Sequence, residues 1–156
     1  MAIEENDREN LLRDAKMMPV RGETQIDGHT IVIGFRSDSQ ASLYCDADPV
    51  FQFNANNQLR RVYFHGERYA AEQGVLIKLT RESQGGKVVF HREPASKNEA
   101  NQIQSALANW LNKIERTAPS SWTSANDDAI FTKQLKQWIH CQPSTMEIAG
   151  TPNVCE

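Results

Sequence analysis

Hydrophobic and polar positions change period twice along this chain. Residues 4–17 are mostly charged, with Leu11, Leu12 and Ala15 on one side, which predicts a short helix. From Val20 the period becomes two. VRGETQI alternates cleanly, Asp27-Gly28 is a strong hairpin turn, and TIVIGFR follows. SDSQ and DADP set off ASLYC and VFQFN, and further strands are predicted at 59–65, 68–71, 75–82 and 87–92. Pro94 stops the last of them. Ser96 with Glu99 then forms a capping box, and Ala100, Ile103, Leu107, Trp110, Leu111 and Ile114 make one apolar helical stripe. The linker TAPSSWTSA leads to a second helix near 125–141 with Ile130, Phe131, Leu135, Trp138 and Ile139 on its face.

Eight short strands with tight connections predict an antiparallel meander, because parallel pairing needs long crossovers. The fold class is therefore α+β in one domain. It comprises an N-terminal helix (1–18), an antiparallel sheet (19–93), a helical cover (94–142) and an irregular tail (143–156). The sheet is expected to be strongly bent or partly closed into a barrel, with the C-terminal helices packed on its apolar face.

Turn chemistry then sets strand register. A four-residue loop at 55–58 puts Phe53 opposite Arg60 and Phe51 opposite Val62. A two-residue turn at Gly66-Glu67 puts His65 opposite Arg68 and Phe64 opposite Tyr69. A three-residue loop at 72–74 with Gly74 left-handed pairs Tyr69 with Ile77, and a loop at 83–86 pairs Leu79 with Phe90. These registers gather the apolar side chains on one face. The opposite face collects Arg61, Tyr63, His65, Arg68, Lys78 and His91, together with Gln52, Asn54 and Lys87.

That face has an ordinary explanation, since antiparallel sheets usually keep one side in water. The sharper reading is an anion-binding face. It rests on Arg61 beside Tyr63 and on the like-charged rungs His65–Arg68 and Lys78–Arg68, which cost stability unless something negative lies over them.

Charge changes the picture only locally. The 156-residue chain has a net charge of −3, which argues against a strongly basic nucleic-acid binder. Residues 55–92, however, hold seven Lys/Arg against three acids. No window has the apolar length of a membrane span, and MAIEENDREN lacks the apolar core of a signal peptide, so a cytoplasmic protein without a membrane partner is expected. The odd count of cysteines, Cys45, Cys141 and Cys155, shows no disulfide framework. Cys141 and Cys155 with His140 lack the paired close spacing of a metal site, so neither metal nor cofactor is expected. The chain has no glycine-rich phosphate loop, no G-x-S-x-G and no H-E-x-x-H, which favours a non-enzymatic role.

The stretches IVIGFRSDSQASLYCDADPVFQFN and LRRVYFHGERYAAEQGVLIKLTRE resemble uncharacterised bacterial proteins with a shared pattern. It runs G-F-R…S-x-Y…D-P-V-(Y/F)-x-F-N-x-x-G-x-L-R-R…G-x-x-Y-x-A-x-x-G-x-L. Asn57 stands where that pattern has glycine, and asparagine is the next-best residue for a left-handed turn position. The N-terminal segment and the part from about residue 117 onward lie outside the resemblance, which supports the hairpins and implies no activity.

Two functions follow as expectations. One is a binding module whose basic sheet face takes an acidic protein, a small anion or, less readily, single-stranded nucleic acid. The other is a lipocalin-like barrel enclosing a small apolar ligand. Phe51, Phe53, Phe64, Tyr69 and Phe90 are bulky enough to fill such an interior, which favours the first.

Overall fold

A computed structural model describes residues 3–36, 40–47, 49–54, 58–72, 75–124 and 128–140. Helix α1 (Ile3–Lys16) leads into β1 (Val20–Ile26), β2 (His29–Phe35), β3 (Ala41–Cys45) and β4 (Val50–Phe53). Strands β5 (Leu59–Phe64), β6 (Glu67–Glu72), β7 (Val75–Gln84) and β8 (Lys87–Pro94) follow. Helix α2 (Lys97–Arg116), a 3₁₀ turn at Pro119–Ser121, the two-residue β9 (Thr123–Ser124) and α3 (Asp128–His140) complete the order. The strands form one antiparallel sheet in the order β8-β7-β6-β5-β4-β3-β2-β1-β9. The predicted α+β meander is present, with one strand more than expected. β9 arises within the TAPSSWTSA linker and pairs Gly22 with Ser124.

The sheet is open, with β8 and β9 at its two edges, rather than strongly bent or closed as a barrel. Helices instead cover it from both sides. On the front face α2 and α3 bury Ile103, Leu107, Trp110, Ile114, Phe131 and Trp138 against Ile33, Phe35, Phe51, Phe53 and Val62. Ser96 caps α2 as its sequence requires: its hydroxyl accepts from the Glu99 N–H, and the Glu99 carboxylate accepts from the Ser96 N–H. On the back face α1 lays Leu11, Leu12 and Ala15 on Val32, Tyr44, Val50 and Tyr63. The approach is close at Gly34, where a Cβ would lie 2.5 Å from the Ala15 carbonyl oxygen.

Four registers differ from the expectations, for physical reasons. Between β4 and β5 a bulge follows Gln52, so Phe53 faces Leu59 instead of Arg60. The bulge buries Leu59 and leaves Arg60 exposed. Between β5 and β6 the turn is His65-Gly66, with φ of 51° and 76°, so Phe64 faces Glu67 and Tyr63 faces Arg68. Two positive φ angles suit the right-handed twist of a two-residue hairpin better than a glycine placed first, and histidine is among the residues that tolerate the left-handed region.

Between β6 and β7, Glu72 pairs with Val75, one residue away from the three-residue expectation. That single step exchanges the two faces of β7: Leu76 and Lys78 join Tyr69 on the front, while Ile77 and Leu79 turn to the back. Between β7 and β8 the turn is Gly85-Gly86, so Leu79 faces Arg92 and Phe90 faces Arg81. Phe90 therefore lies on the back face, half exposed, and does not fill the core. The conformations assigned to the loops at 55–57 and 73–74, the tail from 143, Cys141 and Cys155 lie outside the described residues.

Candidate site between the N-terminal helix and the back of the sheet

Cross-strand pairing lines up two rows of side chains on the back face. One runs Val32, Tyr44, Val50, Tyr63, Arg68, Leu79, Arg92. The neighbouring row runs Gly34, Ser42, Gln52, Arg61, Ala70, Ile77. Arg61 and Arg68 are thus diagonal neighbours on adjacent strands, about 7–8 Å apart at this spacing. Helix α1 roofs the first part of these rows and stops short of the second. Where its cover ends, a groove of about 220 Å³ opens between Asn10, Leu11 and Asp14 of the helix and Gln52, Arg61, Tyr63, Arg68 and Leu79 of the sheet.

Tyr63 is buried at the inner end of this groove. The Arg8 guanidinium of α1 lies 5.7 Å from its ring centre and 5.4 Å from that of Tyr44, and donates to the Cys45 carbonyl at 2.9 Å. The helix is thereby anchored over two aromatic rings by a cation. Arg61 is exposed, and no carboxylate among the described residues stands within ion-pair distance of it. Asp14 brings one acid to the groove wall, so the site is mixed in charge with an excess of arginine.

Of the six residues expected to share one basic face, the structure brings together Arg61, Tyr63 and Arg68. The other three are elsewhere. His65 sits in the hairpin turn with its ring 3.9 Å from that of Phe64, not opposite Arg68. Lys78 is on the front face, where its Nζ pairs with Glu99 at 3.3 Å. That contact raises the Lys78 pKa. His91 is also on the front face, opposite Thr80 midway along the hairpin, and contacts Glu82. The rung Lys78–Arg68 therefore does not exist, nor does His65–Arg68. Neither histidine lines the groove.

The sheet face was not simply wet, and this is what the sequence concealed. Arg8, Asn10 and Asp14 enter the site from α1, whose Leu11–Leu12–Ala15 side signals that the helix packs, without naming the surface it packs on. On the front face, Tyr69 donates a 2.6 Å hydrogen bond to Glu99, beside Lys78. The hydrogen bond from Tyr69, with those from Ser96 and Lys78, holds the Glu99 carboxyl down to about 2. Burial and the neighbouring carboxylate push the Tyr69 phenol above its ordinary range. This trio fastens α2 to the sheet, and its tyrosine is a locked donor. No helix among the described residues is long and apolar enough to cross a membrane. Compared with protein-family models, curated proteins and solved structures, the chain matches none.

Proposed function

We propose that the protein is a non-enzymatic binding module whose groove between α1 and the back of the sheet takes an anionic group of an acidic protein or small molecule. The supporting observation is the diagonal pair Arg61 and Arg68 beside buried Tyr63, at the open end of the helix cover. A guanidinium pair at this spacing suits a carboxylate or phosphate, and the tyrosine ring gives the ligand an apolar wall. Leu79 adds apolar lining on the far side. The arginine guanidinium presents its donors in a rigid planar fork that matches carboxylate or phosphate oxygens two at a time.

The barrel reading has lost its support. An open sheet with edges at β8 and β9 has no interior in which to enclose an apolar ligand.

The experiment is a titration of the wild type and an Arg61→Glu/Arg68→Glu variant with sulfate, an acidic peptide and a single-stranded oligonucleotide, followed by backbone amide shifts. The wild type should show shifts in β5, β6 and α1 that weaken on going from about 20 mM to about 500 mM salt, because screening falls to a few ångströms there. The variant should lose them. A folded variant that retains every interaction of the wild type, or a wild type that takes none of the three, would refute the proposal. Binding of the oligonucleotide alone would move the function to nucleic acid.

A further inference from the structure

The two edges of the sheet are unequal. β9 is two residues long, whereas β8 offers Lys87–Pro94 at the opposite edge, in a hairpin whose outer part is largely exposed. Its pairing with β7 decides which backbone groups are available. The residues flanking a two-residue turn, Gln84 and Lys87, form a hydrogen-bonded pair, so odd-numbered residues of β8 direct their N–H and C=O toward β7. The 2.9 Å bond from the Ala95 N–H to the Leu76 carbonyl follows the same alternation. Even-numbered Val88, Phe90 and Arg92 therefore present theirs outward. Pro94 ends this run, since it has no N–H to offer at its outward position. The side chains of Val88 and Phe90 are 50% and 51% exposed. Among the described residues no strand pairs with this side of β8, and a long edge with exposed apolar side chains is a template for strand addition.

We infer that β8 pairs with β8 of a second copy of this chain, antiparallel about a two-fold axis at Phe90, joining two sheets into one. The sequence of the strand is self-complementary in this register. Phe90 faces Phe90 of the partner subunit, and Val88 faces Arg92 of the partner subunit. All three outward residues then exchange both backbone bonds. On the front face Lys87 falls opposite Glu93 of the partner subunit, in the closer, non-hydrogen-bonded type of pair. The rotation repeats this at the other end, giving two opposite-charge pairs and one aromatic pair at the centre. Shifting the register by one pair in either direction leaves an outward residue of β8 unmatched or sets it against a turn glycine or Pro94, and separates Lys87 from Glu93. Arg92 is drawn back along its own sheet by Glu72, to which its guanidinium donates, so it does not obstruct the approach. Self-association through one edge is closed and stops at two copies, because β9 is too short to continue it.

Strand addition along so short an edge buries little area, so the dimer is weak and depends on concentration. Sedimentation velocity of the full chain, from about 1 µM to about 1 mM, tests it. Lys87→Glu and Glu93→Lys each turn both ionic pairs repulsive, and each should weaken the dimer about tenfold or more. Mixing these two variants should restore association, since every rung then again joins opposite charges. Phe90→Pro keeps every bond to β7, removes an outward N–H and should abolish the dimer, with circular dichroism confirming the fold. A wild type that stays monomeric throughout overturns the inference. So does a dimer that persists in Phe90→Pro, or a mixture no tighter than its separate components.

Discussion

The phenol of Tyr69 donates to Glu99 Oε2 at 2.6 Å, joining the middle of β6 to the first turn of α2. Glu99 at once completes the cap of its own helix and receives Lys78, so a single carboxylate ties local helix initiation to sheet packing.

This tie should appear in acid. Glu99 ordinarily titrates at 4.5 and is held down to about 2 in the fold. The folded state binds its proton less readily than the unfolded chain, so the contribution is complete above the ordinary value and is lost as pH falls from about 4.5 toward about 2. Tyr69→Phe should cost about 1–2 kcal/mol at pH 7, as for a hydrogen bond to a charged acceptor. The difference from wild type should shrink steadily below pH 4.5 in urea melts. A difference that does not change with pH would show that the variant acts through packing alone.

The hairpin between β5 and β6 makes the second prediction. His65 holds φ of 51°, which β-branched residues resist and asparagine tolerates. His65→Val should destabilise the protein by about 1 kcal/mol or more, whereas His65→Asn should be close to neutral. Thermal melts of the pair check this. Equal stability of the two variants would move the turn back to Gly66-Glu67.

Gly34 makes the third. An added methyl group would meet the Ala15 carbonyl oxygen at 2.5 Å and Met18 at 2.8 Å. Gly34→Ala should therefore push α1 off the back of the sheet, raising amide exchange along α1 and weakening anion binding in the groove while α2 stays protected. Unaltered exchange in α1 would mean that the helix end yields without cost. Front and back layers would then be less separable than the packing implies.

Much of this fold could be read from residues whose signals are local. The α2 stripe, its Ser96–Glu99 cap and the Asp27-Gly28 turn each specify their element within a few positions, and each is present. The candidate site was harder because it depends on parity across turns. In β7 the alternation Val75, Ile77, Leu79 reads as the buried side, yet Leu76 and Lys78 face the front. A sheet covered on both faces keeps no clean polar side, so apolar alternation stops marking the core. One residue of loop length between β6 and β7 then decided where Lys78 and His91 would stand. Arg61, Tyr63 and Arg68 share the expected face because the His65-Gly66 turn shifts their register by two residues, which preserves side-chain parity.

The strand order has a consequence for how the molecule is assembled. β1 to β8 lie side by side in the order in which they occur along the chain, so each can join its predecessor by closing one short loop. Such local closure is entropically cheap, and folds rich in it assemble quickly. The pairing of Gly22 with Ser124 is the exception, for it must wait until almost all of the described chain is in place. Until α2 and α3 arrive, Phe35, Phe51 and Phe53 have no cover, and the growing meander carries a sticky front. Assembly of this protein is therefore a race between the last two helices reaching the front and another chain reaching it first.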